Sequence, residues 1–110
     1  MQLPESIFNA IDWSDIPPTE HPGDSGFAQW RTVMLGDIRI RQVEYSPGYV
    51  ANHWCDRGHI LLVMDGELVT ELRDGRSFRL ATGMSYHVSD SGDAAHRSAT
   101  EIGAKLFIVD

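Results

Sequence analysis

The sequence predicts an all-β fold: a small barrel or sandwich of antiparallel strands with an N-terminal arm. Short segments rich in Val, Ile, Leu, Tyr and Phe recur from Phe27 onward, punctuated by Gly36-Asp37, Ser46-Pro47-Gly48, Asp65-Gly66 and Asp74-Gly75; strands at such regular spacing build sandwiches and barrels. No stretch after residue 26 has a helical period. The chain has 110 residues, enough for one hydrophobic core and not two.

The arm is expected over residues 1–26, with Leu3, Ile7, Phe8, Ile11 and Trp13 as apolar anchors. Ile7, Ala10 and Ile11 have the spacing of one helical turn, so Ser6 to Trp13 is expected to coil briefly. Pro17-Pro18, Pro22-Gly23 and Gly26 then break regular structure, and His21 among them reads as a solvated loop residue. Residues 27–110 form the single barrel domain. Its strands are expected at Gln29 to Leu35, Ile38 to Tyr45, Tyr49 to Cys55, His59 to Met64, Glu67 to Leu72, Ser77 to Leu80, Met84 to Val88, His96 to Thr100 and Ala104 to Val109. Asp65-Gly66 and Asp74-Gly75 are expected to close hairpins. Ser89 to Ala95 is a polar loop.

Composition narrows the function. Nine Lys and Arg stand against sixteen Asp and Glu, a formal charge of -7; nucleic-acid binding normally needs a basic face, and anionic membranes repel an anionic surface. The longest apolar run is five residues, too short to span a bilayer. One cysteine, Cys55, cannot form an internal disulfide. With no basic and apolar leader at the N-terminus, the chain is expected in the cytoplasm.

The chemistry is concentrated in His53-Trp54-Cys55-Asp56-Arg57-Gly58-His59, which holds two of the five histidines and the only cysteine. On a strand His53 and Cys55 point the same way, about 6–7 Å apart, and the Asp56-Arg57-Gly58 turn brings His59 alongside. Neutral imidazole nitrogens and a thiolate are borderline and soft donors, suited to a divalent transition metal: zinc, iron or copper, with nickel also acceptable, ahead of manganese or magnesium. A fourth ligand is expected from His96 or His87. Gln42 and Glu44 line the pocket in one register of Ile38 to Tyr45; in the other, Arg39 and Arg41 turn inward. Tyr86 is a further candidate lining residue. Trp54 faces away from His53 and Cys55 and is assigned to packing.

The spacing resembles the cupin superfamily, whose first motif is G-x5-H-x-H-x(3,4)-E-x6-G. Gly48, His53, Cys55, His59 and Gly66 match it, with four residues in place of five after Gly48, Cys55 at the second histidine and His59 at the glutamate. Gly75, Ala81 and Gly83 follow the second motif, G-x5-P-x-G-x2-H-x3-N, with Tyr86 where its histidine is expected. His96 and Thr100 reproduce the H-x3-N spacing after an insertion at about residues 86–95, which favours His96 over His87 as fourth ligand. The resemblance spans about residues 30–110. More narrowly, Asn52-His53-Trp54-Cys55, Gly58 to Val63 and Gly103 to Asp110 resemble the DHCW-motif cupins, with Asn52 where an aspartate is expected. The resemblance implies a cupin-type double-sheet, jelly-roll-like β-barrel with inward ligands near one mouth. It also implies a homodimer, for which the apolar arm is suited.

Three functions follow as expectations: metal or small-ligand binding without turnover, a small metal-dependent enzyme of isomerase or oxygenase type acting on a small polar molecule, or a metal-free barrel that binds an organic ligand.

Overall fold

The structure is a computed structural model that describes residues 2–110, so the first residue of the expected arm lies outside the described residues. Eight antiparallel strands form it: β1 (Thr19–Pro22), β2 (Phe27–Leu35), β3 (Ile38–Tyr45), β4 (His59–Leu72), β5 (Ser77–Ala81), β6 (Ser85–Val88), β7 (His96–Ala99) and β8 (Ala104–Val109). A single 3-10 turn, Trp13–Asp15, precedes them, capped by the Asp12 carboxylate accepting from Ser14 N at 3.0 Å. The architecture is a double-sheet β-barrel with an N-terminal arm.

β4 is the spine of the barrel. Its first half, His59 to Leu62, pairs with β6, and Ile60 to Gly66 pairs with β8; its second half pairs with β5 and β7. β8 continues through β3 and β2 to β1. One strand therefore belongs to both sheets, and Asp65-Gly66 is not the expected hairpin. The register shifts between Val63 and Asp65, and Gly66 adopts φ +82°. A Cβ there would stand 2.1 Å from the Gly103 carbonyl oxygen. The bulge bends β4 from one sheet into the other, which a tight turn would have reversed. Asp74-Gly75 does close a hairpin, between β4 and β5.

Tyr49 to Cys55, expected as a strand, makes only isolated bridges, Val50 to Ser25 and to Ala99 and Cys55 to His96, with bends at Asn52 and His53. Its partner β7 is four residues long and cannot support a full ladder. In the arm, Ser6 to Trp13 forms no helix, because its apolar side chains find no surface that would reward a helical stripe: Ile7 and Phe8 are 87% and 94% exposed. His21 is not in a loop. It lies in β1, stacked on Trp30 at 3.8 Å between ring centroids. Pro22 is tolerated there because β1 is an edge strand.

Strand register arranges the interior in rows. Val43, Leu106 and Val63 are cross-strand partners, and all three are fully buried. Each such side chain contributes about 1.5–3 kcal/mol of transfer free energy. The next row is Arg41, Ile108, Leu61 and Tyr86. Beyond it come Arg39, Asp110 and His59. The lining thus changes from apolar to ionisable along three adjacent strands, and the ionisable end carries the candidate site.

Candidate functional site

Alternation on β3 turns Arg39, Arg41, Val43 and Tyr45 inward, since Val43 is fully buried and Arg41 is 6% exposed. Gln42 and Glu44 consequently face out. Both border an outer groove with Trp13, Arg31 and Lys105, so Gln42 does not line the interior cavity. That cavity, about 100 Å³, is bordered by His53, Cys55, His59, Tyr86 and His96, together with Arg39, Arg41 and Asp110.

His59 is the first residue of β4, and His96 the first of β7. Their rings meet edge to face with centroids 4.7 Å apart. His59 Nε2 and the Tyr86 hydroxyl share a hydrogen bond of 2.7 Å, which orients the ring. Burial, then the neighbouring His96, lowers the pKa of His59 to about 4, with Arg41 and Arg39 adding to the effect against Asp110. His96 is lowered too, chiefly by burial. Both imidazoles are neutral at pH 7 and can offer a nitrogen lone pair. Burial likewise raises the Tyr86 phenol, which keeps its proton.

Cys55 lies directly opposite His96: each accepts the other's backbone N–H at 2.8 Å. Its Sγ accepts from Arg57 N at 3.4 Å. His53 stands at the exposed rim, with Nδ1 2.9 Å from Asn52 Oδ1. The structure therefore brings His53, Cys55, His59, His96 and Tyr86 to one cavity. His87 is elsewhere: it lies on β6 opposite exposed Ile60 of β4, is itself exposed, and borders a second cavity. Trp54 packs outside the cavity under the Arg97 guanidinium at 4.6 Å.

Among the described residues, no group of three or more His, Cys, Asp or Glu side chains is drawn close enough to hold a metal ion. The donor types nevertheless fit one. His96 is 5% exposed, and its Nε2 is buried with no hydrogen-bond partner. Such an atom is costly unless something satisfies it. Two imidazoles and a thiol on one cavity wall suit a borderline or soft divalent cation.

Sequence reasoning held Arg39 and Arg41 as one of two registers and left out the groups they meet, Asp110 and Arg57. Asp110 accepts from Arg39 and Arg41, and Arg57 Nε lies 3.6 Å away. The Arg41 guanidinium lies 4.4 Å from the Trp30 ring centroid, and its Nε is buried without a partner. Two signals pointed to this cluster: Arg39 and Arg41 keep step with Val43, and Asp110 keeps step with Ile108 and Leu106.

No family model and no curated protein matches the chain in sequence. Solved structures match it in fold. Ectoine synthase from P. lautus superposes with TM-score 0.75 at 14% identity, covering 93% of this chain and 76% of its own. A predicted oxalate decarboxylase from Thermotoga maritima gives 0.74 at 16% identity, covering 92% and 96%. A sugar phosphate isomerase from a cupin superfamily, from Silicibacter pomeroyi, gives 0.68 at 18% identity, covering 92% and 74%. The fold is that of the cupin superfamily. At these identities the likeness is one of architecture.

Proposed function

We propose that this chain is a metal-binding cupin-fold protein of the DHCW-motif type, holding one zinc, iron or copper ion through His59, His96 and Cys55, with His53 at the rim. The observation that carries the reading is the buried, unpartnered Nε2 of His96 in the cavity that Cys55 and His59 also border. Bound there, the ion would polarise an oxygen of a small ligand as a Lewis acid. The chain's own residues do the rest. Tyr86 orients His59. The two bonds between Cys55 and His96 hold the loop donor against the strand donor. Arg39, Arg41 and Asp110 close the far side of the cavity.

The proposal extends to a cytoplasmic homodimer. Leu3, Ile7 and Phe8 of the arm are exposed, as are Ile60 and Leu62 on the outer face of β4, while Trp13 packs edge-on against Phe107 of the neighbouring β8. Exchange of two arms across that face would give each copy the same patch to bury, as a twofold interface requires. No described helix is long and apolar enough to cross a membrane.

The test is elemental analysis of protein purified without a His tag, wild type beside Cys55→Ala and His96→Ala. Near-stoichiometric zinc, iron or copper that falls in both variants is the expected result. No metal in wild type, even after reconstitution, overturns the reading. The second reading, a metal-free barrel for a small organic ligand, is favoured by the hydrogen bond that ties His59 Nε2 to a protein group, the Tyr86 hydroxyl.

A further inference from the structure

The second cavity lies across the His96 and Tyr86 side chains, which border both spaces. Its volume is about 330 Å³. That falls within the range of small-molecule pockets, and a cavity of roughly 150 Å³ already admits benzene. Its walls are mostly apolar: Leu80 is buried at the base, and half-exposed Phe78 and Met84 form the rim. Two of its lining residues, His96 and Thr70, each carry a buried polar atom without a partner, and that of His96 is the nitrogen assigned above to the metal. Thr70 is 3% exposed and its Oγ1 has no hydrogen-bond partner. The Tyr86 hydroxyl is near enough to Thr70 to feel it, but its hydrogen bond is made with His59.

Charge narrows the ligand. The arginines at the mouth are already paired: Arg76 with Asp74 at 2.7 Å and Asp93 at 2.6 Å, and Arg79 with Glu67. Three carboxylates meet two guanidiniums, so the mouth offers no free cation to an anionic ligand.

We infer that this cavity binds a small neutral organic molecule, one or two rings in size, whose hydroxyl or carbonyl oxygen meets Thr70 Oγ1. The inference rests on the reading above in taking His96 and Tyr86 as the wall between this ligand and the metal-binding residues. An apolar body fills the space between Leu80 and the rim, and one polar group satisfies the orphan hydroxyl. A Thr at this place, where Val would pack as well, is then a specificity element.

The test is a fluorescence titration of the full-length protein with naphthol, in chelator and after zinc loading, with naphthalene and naphthoate as controls. Saturable one-site binding is expected. Loss of the Thr70 contact in Thr70→Val, or of the probe's oxygen in naphthalene, weakens it about tenfold. Met84→Trp, at an exposed position that does not endanger folding, plugs the rim and abolishes it. Naphthoate binds more weakly than naphthol. The inference is overturned by an absence of saturable naphthol binding, by both variants binding as wild type, or by naphthoate binding more tightly. Zinc uptake that persists without naphthol binding sinks this inference and leaves the metal reading standing. Naphthol binding that persists without zinc uptake does the reverse.

Discussion

Arg39 grips the Asp110 carboxylate with two parallel hydrogen bonds, Nε at 3.0 Å and Nη2 at 2.8 Å, although that side chain is only 1% exposed. The pairing extends to the main chain: the two residues exchange backbone N–H···O hydrogen bonds of 2.9 Å in both directions. Arg41 adds a third contact at 3.2 Å. The final ionic row of the barrel is thus locked by side chain and main chain together.

Asp110→Asn should destabilise the protein by about 3 kcal/mol, because it leaves buried Arg41 and half-buried Arg39 without their counter-charge. The denaturant midpoint, read with an unchanged m-value, checks this. A midpoint equal to wild type would mean that solvent already carries those charges.

Gly66→Ala should cost about 2–4 kcal/mol, from the left-handed backbone and the collision with the Gly103 carbonyl. Gly75→Ala is the control. Gly75 also has positive φ, at +101°, but open space around it, so only the conformational cost of about 1 kcal/mol applies. Equal midpoints for the two variants would refute the role given to Gly66 in bending β4.

Acid should weaken the metal-free protein through His59. Its folded pKa of about 4 lies below the ordinary 6.5, so between those values the unfolded chain binds a proton that the folded chain does not. Stability is complete above pH 6.5 and falls as the pH drops toward 4. The loss is about 2 kcal/mol once the partial exposure of the ring is discounted. Urea midpoints at pH 7 and 4.5, in chelator, should fall less for His59→Phe than for wild type; parallel curves would show that the ring contributes nothing.

Removing the arm's grip should separate the proposed dimer. Sedimentation equilibrium is expected to give twice the 12.3 kDa chain mass for wild type and the single-chain mass for the double variant Ile7→Glu, Phe8→Glu. Wild type at the single-chain mass ends the dimer proposal.

Much of this molecule is legible in its sequence. Alternation sets β3 at Ile38–Tyr45, as read from the residues alone, and the apolar run after His59 is a strand, though only its Leu61 and Val63 face is buried while Ile60 and Leu62 are exposed. Both signals are local, because side chains on a strand change faces at every residue whatever lies beyond. The residue types of the candidate site are equally plain, since His53, Cys55 and His59 sit within seven positions.

Tertiary structure decided the remainder. Alternation divides Arg39 and Arg41 from Gln42 and Glu44, but only pairing with the apolar face of β8 makes the arginine face the inner one. Asp65-Gly66 carries the residues of a hairpin, yet the chain bends there without reversing, because Gly103 and Ala104 lie beside it and claim its backbone. His96 is separated from Cys55 by forty positions and from His59 by more than thirty. It meets both because β7 is held between β4 and the loop that precedes β4. Sequence spacing specifies which side chains share a face; long-range strand pairing, whose free energy comes from burying Leu61, Leu68, Leu106, Val43 and Val63, specifies which faces meet.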